Sequence, residues 1–409
     1  MLVGLRYKLA LTAAQEQSCV RWEGICRAVW NTGLDQYRHA WRSNKVRPRD
    51  AQVWPGFAVQ CAELAAAKKQ PGLDWLTDAP THVLQQTLRD LDQAVRRHSP
   101  WRTHFRSQRR SAPSLRFPAG KAIVVEQLSG RWGRVKLPKL GVVKFRMSRP
   151  VAGEIRSATI SRDQLGWHIS ILVDDGQAVA EPGSHHGPAV GIDRGVVHAL
   201  ALSDGTFLDP RTPFTSAREG KFEKGLRRRL ARQQRGSARA AVTKARIAKV
   251  KAKQARRRKD YAAKAAYKLT SRYGLVVLEK LPTAQMTRSA RGTVEVPGKN
   301  VKAKSGLNRS ILDQGWHAIA LAIESAARRS GTRVAYVPAA YTSQMCSECG
   351  HTARMNREKQ AEFCCRGCGF EDNADTNAAI NVLAAGLAAS GRGGLPLGRP
   401  QKRQTLDAA

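Results

Sequence analysis

The sequence is poor in acidic and in aromatic residues. It contains 32 Asp and Glu against 70 Lys and Arg, which gives a formal net charge of +38, and aromatic residues make up 6% of the 409 positions. A charge this far from zero repels itself unless a polyanion neutralises it, so the shortage of acids disfavours an ordinary metabolic enzyme and indicates nucleic acid as the partner. Hydrophobic residues at 42% suffice for packed cores.

Long apolar runs and fixed-period repeats are also missing, and we expect no secretion signal. No segment reaches the roughly 18 consecutive apolar residues that a membrane span needs, and the first residues alternate apolar and basic side chains. A secretion signal has an apolar core followed by a cleavage site instead. We therefore expect a soluble cytoplasmic protein, bacterial or archaeal and associated with the nucleoid, with no membrane partner.

The eight cysteines are distributed unevenly, which favours a metal site over disulfides. Cys346-x-x-Cys349 is followed, after 15 residues, by Cys365-x-x-Cys368. Two such knuckles bring four thiolates to one zinc ion and leave no open coordination position, so the zinc is predicted to be structural. Cys364 falls outside this spacing and is predicted to be a free thiol.

The first half of the chain changes from a strand pattern to a helix pattern and back. Apolar residues alternate from Val3 to Leu9, recur at helical spacing from Cys19 to Trp41 and over 82–97, and alternate again from about Ser114 to Asp175. This predicts a small antiparallel β-barrel formed by 1–12 and 113–182, with a helical block, 13–112, inserted between its first two strands.

The second half contains a strongly basic segment between two apolar strands. Residues 221–264 carry 18 Lys or Arg and 2 acids, and their composition predicts two long helices, within 216–272. A solvated helical face is the alternative, but like charges on neighbouring turns destabilise a helix unless an anion lies along it. The candidate nucleic-acid contacts here are Arg227, Arg228, Arg232, Lys249, Lys253, Arg256 and Arg257. The Gly-, Pro- and Arg-rich tail, 391–409, is predicted to be disordered.

Three acids stand out by their positions. Asp193 interrupts an apolar strand, Glu279 ends another, and Asp375 lies just beyond the second cysteine pair. Three convergent carboxylates could bind two magnesium ions roughly 4 Å apart, the arrangement used for phosphodiester hydrolysis. Alternatively, Asp193 and Glu279 form ion pairs with arginines and Asp375 is a helix N-cap.

Five motifs occur in a fixed order in the second half. They are Gly191–Gly195 (GIDRG), Leu278-Glu279, Tyr341–Gly350 (YTSQMCSECG), Cys365–Gly369 (CRGCG) and Asp375–Asn381 (DTNAAIN). In this order they resemble TnpB, the transposon-encoded RNA-guided nuclease family related to type V CRISPR effectors. The first half resembles the family more loosely, through its layout and the segment Arg134–Gly141.

The resemblance implies a multidomain α+β protein. An N-terminal wedge barrel with an inserted recognition bundle would precede a RuvC nuclease domain of RNase H-like fold, 187–340 and 370–390, which carries a four-Cys zinc ribbon, 341–369. Asp193, Glu279 and Asp375 match the family's catalytic acids, whereas the nearby Asp372 does not. The four cysteines match its zinc ligands, and Gln85 matches a position that faces target-adjacent DNA.

The function implied is RNA-guided cleavage of DNA beside a short motif. Its partners would be a guide RNA, the guide–target heteroduplex and the displaced strand. The alternatives are a compact type V CRISPR effector, a transposase, a nuclease-inactive RNA-guided repressor and a basic RNA-binding protein. The sequence leaves open the guide, the flanking motif, the cut positions and the oligomeric state.

Overall fold

The computed structural model describes residues 1–108 and 114–389. The chain divides into two compact units, Met1–Gln177 and Ala178–Ala409. Both units combine helices with a β-sheet, so the multidomain α+β class is confirmed. The predicted disordered tail, 391–409, lies outside the described residues.

The elements alternate between strands and helices along the chain. The strands are β1 (Leu2–Ala10), β2 (Ser114–Phe117), β3 (Val124–Gln127), β4 (Trp132–Leu137), β5 (Gly141–Arg146), β6 (Glu154–Asp163), β7 (Gly166–Asp174), β8 (Ala189–Asp193), β9 (Ala201–Leu202), β10 (Leu275–Lys280), β11 (Arg333–Pro338), β12 (Glu362–Cys364) and β13 (Glu371–Asn373). The α-helices are α1 (Ala13–Asn44), α2 (Phe57–Ala67), α3 (Thr81–His98), α4 (Ala217–Ala231), α5 (Ala238–Arg272), α6 (Thr283–Met286), α7 (Val301–Gln314), α8 (Trp316–Ser330) and α9 (Ala374–Ala389). Within the described ranges, every helix is too short or too polar to cross a membrane.

The first unit is built on one antiparallel sheet with the strand order β2-β6-β7-β1-β5-β4-β3. The prediction of a closed barrel is wrong for the described residues, because the order ends at β2 and β3 without a pairing between them. The helices bury one face of the sheet instead: Trp22 of α1 and Leu84 of α3 share a core with Phe117 and Ile171. With that face covered by helices, the core does not require the sheet to close.

The long helix α1 forms where the apolar spacing predicts it. Thr12 and Gln15 make a capping box at its start. Cys19 and Cys26 are buried on the face that packs into the core. The chain thus leaves the sheet after Ala10, forms α1 to α3, and returns to the sheet at Ser114.

The second unit contains a four-stranded sheet with the order β11-β10-β8-β9. β8, β10 and β11 run parallel, and α5 and α8 cover one face of the sheet while α9 covers the other. Gly191 on β8 allows α9 to lie close, because a Cβ there would stand 2.2 Å from the carbonyl oxygen of Ala379. This contact brings the start of α9 to the carboxyl ends of the parallel strands.

Candidate active site and four-cysteine centre

Asp193 and Glu279 occupy the carboxyl ends of adjacent parallel strands. The register of β8 and β10 pairs Ile192 with Leu278, so the two acids are the next residues along each strand. Glu279 is 5% exposed and Asp193 is partly buried. Parallel strands deliver both carboxylates to the same edge of the sheet, the usual place for a site in an α/β fold.

Asp375 reaches the same pocket from the first turn of α9. The pocket is lined by all three acids together with Arg194 and Arg357. A Cβ on Gly195 would lie 3.7 Å from the Asp375 Oδ2 atom, so the chain just after Asp193 passes directly beside this carboxylate. The structure therefore brings together three acids that are separated in sequence by at least 86 positions (193 to 279).

Neither structural alternative accounts for the acids. The N-cap of α9 is formed by Asn373, whose Oδ1 atom accepts from the backbone N–H groups of Asp375 and Thr376. No Lys or Arg nitrogen of the described residues lies within ion-pair distance of the Asp193 or Glu279 carboxylate. Arg194 donates instead to the backbone carbonyl oxygens of Glu279 and Trp316.

Asp375 does have a cationic partner, since the Arg357 Nη2 atom lies 2.7 Å from its Oδ1 atom. Arg357 also donates to the carbonyl oxygen of Gln360 at 2.7 Å, which orients its guanidinium group. Of the three acids, Asp375 is therefore the one whose charge is offset by a direct ion pair.

The environment of the pocket raises the pKa values of two of its acids. Burial, followed by repulsion from Glu279 and Asp375, raises the pKa of Asp193 to about 7. Burial also raises the pKa of Glu279, although a hydrogen bond from Thr342 and the charge of Arg194 oppose this shift. Carboxylate oxygens are the ligands that hard divalent cations prefer, and a cation would relieve the repulsion, so the donor set fits such an ion.

The four predicted zinc ligands converge. In the described part of the chain, the thiols of Cys346, Cys349, Cys365 and Cys368 are the one candidate metal-binding group of three or more His, Cys, Asp or Glu residues, and all four lie within 4.8 Å of one another. The Sγ atoms of Cys346 and Cys368 are 3.8 Å apart, and those of Cys349 and Cys365 are 3.6 Å apart. A four-thiol set of this kind suits a structural zinc ion. Cys364, at the end of β12, is not a member of this group.

Two asparagines of α9 attach this centre to the carboxylate pocket. The Asn377 side chain accepts from the backbone N–H of Ser347 and donates to the carbonyl of Met345. Asn381, one turn later, donates to the carbonyls of Thr342 and Met345. Both asparagines are buried. The helix that carries Asp375 therefore also holds the first cysteine knuckle.

The cysteine-containing segment in turn contacts the acids. The Thr342 Oγ1 atom donates to Glu279 Oε1 at 2.6 Å, and Arg357 pairs with Asp375. We did not predict roles for Thr342, Arg357, Asn377, Asn381 or Arg194. Thr342, Asn377, Asn381 and Arg194 stand inside the motifs that carried the family resemblance, whereas no pattern in the sequence marks Arg357.

The seven predicted nucleic-acid contacts on the basic helices α4 and α5 are all exposed. Arg228, Arg232, Lys249, Lys253 and Arg256 are exposed. Arg227 and Arg257 are exposed as well, but they pair with Glu223 and Glu219 respectively. The ion pair of Arg257 ties the two helices together. In the first unit, Gln85 lies exposed on α3.

Three family models match parts of the chain. They are described as "Helix-turn-helix domain" for residues 1–45, "Probable transposase" for 168–290 and "Cas12f1-like, TNB domain" for 316–382. The first of these segments folds here as β1 and the single helix α1. The third spans the four cysteines and Asp375.

Full-length relatives extend this similarity over the whole chain. The chain is 36% identical over 406 residues to "Putative RNA-guided DNA endonuclease InsQ" of Escherichia coli (strain K12), covering 98% of this chain and 97% of the relative. It is 27% identical to "Putative RNA-guided DNA endonuclease" of Streptomyces pristinaespiralis, covering 98% and 92%. A shorter match, 52% over 56 residues, links 14% of this chain to 13% of "CRISPR-associated endodeoxyribonuclease Cas12f1" of Sulfoacidibacillus thermotolerans.

A solved structure shares the fold. The protein in "Cryo-EM structure of the Cas12f1-sgRNA-target DNA complex" superposes with a TM-score of 0.54 over 90% of this chain and 82% of that chain. The sequence identity is 14%, so this likeness concerns the fold alone.

Proposed function

This chain belongs to the TnpB family, and we propose that it is a transposon-encoded RNA-guided DNA endonuclease. Its full-length similarity to relatives named as RNA-guided DNA endonucleases supports the guided activity. The observation that carries the nuclease assignment is the pocket in which Asp193, Glu279 and Asp375 meet. A guide RNA would select the target beside a short flanking motif, and one RuvC site would cut it.

The second unit is proposed to be the nuclease domain. We assign 187–340 and 370–390 to an RNase H-like RuvC fold, in which α4 and α5 form a basic helical hairpin, and 341–369 to a zinc ribbon. Cys346, Cys349, Cys365 and Cys368 would hold one structural zinc ion, while 1–12 and 113–182 form the wedge domain around the recognition helices 13–112. The parallel order of β8, β10 and β11 and the four converging thiols support this division.

The catalytic residues of the proposal are Asp193, Glu279 and Asp375, which would hold two magnesium ions. When bound, these ions supply an activated water and stabilise the leaving oxygen of an in-line phosphodiester hydrolysis. The chain itself prepares the carboxylates: Thr342 donates to Glu279 and favours its ionised form. The Arg194 side chain donates a hydrogen bond to the backbone carbonyl oxygen of Glu279 and so holds the backbone at that position.

The partners of the proposal are a guide RNA, the guide–target heteroduplex and the displaced DNA strand. The exposed Arg228, Arg232, Lys249, Lys253 and Arg256, with Arg227 and Arg257 beside them, would contact phosphates, and Gln85 would face DNA next to the target. Phosphate contacts of this kind supply affinity without reading sequence. A protein with these partners works in the cytoplasm.

Two alternative functions are each favoured by a specific similarity and can be tested by experiment. A compact type V CRISPR effector is favoured by the local identity to Cas12f1. A nuclease-inactive repressor is favoured by a match of 31% identity over 129 residues to "CRISPR-associated DNA-binding protein Cas12m" of Thermanaerosceptrum fracticalcis. The presence of all three acids argues for cleavage over silent binding.

The test is DNA cleavage by the protein purified with its RNA. The variants Asp193→Asn, Glu279→Gln and Asp375→Asn are expected to lower the cleavage rate by on the order of 1000-fold or more, because each removes a metal-binding charge. RNA binding should be unchanged. Asp372→Asn is the matched control, since Asp372 lies three positions before Asp375 and outside the pocket, and it should cut normally.

Other outcomes would select other functions. Cleavage at the wild-type rate by all three variants would remove the catalytic assignment. Tight target binding without any cleavage by the wild-type complex would identify a repressor. Joining of a transposon end to DNA without RNA would identify a transposase.

A further inference from the structure

The recognition helices carry an exposed group of aromatic and cationic side chains far along the sequence from the carboxylate pocket. We call it the Trp101 patch, and it consists of Arg38, Trp41, Arg42, Lys45, Trp101 and Phe105. Trp101 is 40% exposed and Phe105 is 46% exposed. In a chain with so few aromatic residues, two neighbouring ones at the surface indicate a contact surface.

The loop that presents Trp101 and Phe105 is fixed to α1 by hydrogen bonds. Arg38 donates to the carbonyl oxygens of Pro100 and Thr103 at 3.2 and 3.0 Å. Farther along the loop, the Asn31 side chain exchanges two hydrogen bonds with the backbone of Arg106, at 2.8 and 3.0 Å. The exposed rings are therefore held in place before any partner binds, which lowers the entropy cost of binding.

Cations lie against these rings on several sides. The guanidinium groups of Arg38 and Arg42 are each 5.1 Å from the Trp101 ring centroid, and Arg38 is 4.3 Å from that of Phe105. Lys45 lies 4.0 Å from the Trp41 ring, which meets Trp101 edge-on at 5.6 Å. Positive charge and ring faces thus occupy one surface.

The two segments that build the patch contain no acid. Residues 36–49 carry five Lys or Arg, and residues 93–108 carry four. A protein partner with both acidic and basic side chains would not require a surface without acidic residues. Phosphates combined with accessible base faces match it, because bases stack on aromatic rings and guanidinium planes while cations track the backbone.

We infer that the Trp101 patch binds unpaired nucleotides of the guide RNA. This inference rests on the proposed function, and it adds a site for the guide outside the basic hairpin. RNA is favoured over target DNA because a folded guide offers unstacked bases in loops and ends from the start. Target DNA arrives as a duplex whose bases are already stacked.

The experiment compares RNA binding by the full chain and its variants. The probes are the RNA that co-purifies with the chain, a single-stranded oligoribonucleotide without self-complementarity, and a blunt-ended, fully paired RNA duplex of equal length. Trp101→Ala and Phe105→Ala should each weaken binding of the single strand by roughly 5- to 150-fold, the loss expected for one stacked base. Binding of the paired duplex should stay within about twofold of the wild-type value.

Two further variants keep the test decisive. Arg42→Gln removes an exposed cation from the face of Trp101 and should lower the salt dependence of single-strand binding by about 0.7 in the log–log slope. It tests the patch even if Trp101→Ala disturbs the loop. Trp54→Ala is the matched control, because Trp54 is similarly exposed at 46% and, among the described residues, no cation lies over its ring. It should bind as the wild type does.

Contrary results separate this inference from the proposed function. Unchanged single-strand binding by Trp101→Ala and Phe105→Ala, or an equal loss in Trp54→Ala, overturns the patch as an RNA site. A loss confined to DNA binding or to self-association does the same. If the wild-type chain binds no RNA with any probe, the proposed function fails as well.

Discussion

The second unit contains two candidate metal centres that are built in opposite ways. The four thiols come from two short knuckles and already lie within 4.8 Å of one another. The three carboxylates come from β8, β10 and α9, and burial together with repulsion from the other two acids raises the pKa of Asp193 to about 7. Local chain geometry brings the four thiols together. The tertiary fold brings the three carboxylates together, although burial and mutual repulsion disfavour their charged forms.

The difference indicates what each centre does for the protein. A closed thiolate site contributes directly to folding, since its metal stabilises the folded chain. The carboxylate site costs stability until a cation arrives, as expected for a site whose purpose is chemistry. The two centres are nevertheless joined, because Asn377 and Asn381 hold the first knuckle on the helix that carries Asp375.

The largest effect is expected at the thiol centre. Cys365→Ser removes one ligand, and we expect loss of zinc and of about 5 kcal/mol or more of stability in the surrounding segment. Cleavage should be lost too, because Thr342 and Arg357 belong to that segment. Zinc content and thermal unfolding measure the outcome. Cys364→Ser, one position away, should change neither, and the reverse pattern would show that the wrong cysteine was assigned.

Replacing a residue of the carboxylate centre should raise the stability of the protein, whereas replacing a cysteine of the thiol centre should lower it. Folding raises the pKa of Asp193 from 3.8 to about 7. The folded state therefore binds this proton more tightly than the unfolded state does. The stability that follows is fully present below about pH 4 and is lost as the pH rises through about 7.

Asp193→Asn removes this dependence. Without magnesium at pH 8 the variant should be more stable than the wild type by on the order of a few kcal/mol. The gain should shrink as the pH falls, because the protonated Asp193 is also neutral. Denaturant unfolding of both proteins from pH 5 to about pH 8 measures the difference, in which the titration of the cysteines cancels. A variant less stable than the wild type at pH 8 would contradict the electrostatic account.

A smaller effect is expected where the two centres meet. Thr342→Val removes the hydrogen bond to Glu279, so the pKa of Glu279 should rise further and cleavage should slow about tenfold near neutral pH. The pH–rate profile should show the acidic limb displaced to higher pH. Thr342→Ser keeps the hydroxyl group and should restore the profile, which a purely structural role of Thr342 would not require.

The same contrast between local and tertiary construction explains what the sequence could predict. The Cys-x-x-Cys spacing and the helical spacing from Cys19 to Trp41 are short-range patterns, and α1 and the thiol cluster appear where they predicted. Asp193 and Glu279 were marked because an acid at the end of an apolar strand is unusual. Their convergence with Asp375 was a hypothesis from these positions that the family resemblance strengthened, and the register of β8 and β10 gives the pairing of Asp193 and Glu279 a structural basis.

Longer-range features were beyond the reach of these patterns. Strand periodicity identifies strands but not whether a sheet closes, so the open order ending at β2 and β3 was not foreseen. Asp is a favoured N-cap residue, yet Asn373 forms the cap of α9. Arg357 is one arginine in a strongly basic chain, and only the fold shows that it contacts Asp375.

The smallest effect concerns that contact, and it decides how far the carboxylate centre is prepared for its cation. The Arg357 Nη2 atom donates to the Asp375 Oδ1 atom at 2.7 Å, so it engages one of the two oxygens that a metal ion could use. If it competes with the metal, Arg357→Gln should tighten magnesium binding by a few-fold, which corresponds to about 1 kcal/mol or less for one partly exposed ion pair. The midpoint of the magnesium-dependent rise in melting temperature measures this affinity without requiring cleavage.

A weaker midpoint in Arg357→Gln would reverse the interpretation of this residue. Arg357 would then hold Asp375 in the orientation that the metal needs, and the carboxylate centre would depend on the cysteine segment for its geometry as well as for its hydrogen bond from Thr342. Arg357→Lys separates the two cases, because it keeps the charge but not the bond to the Gln360 carbonyl that orients the guanidinium group. A competing charge should leave the lysine variant close to the wild type, whereas a positioning role should make it resemble the glutamine variant.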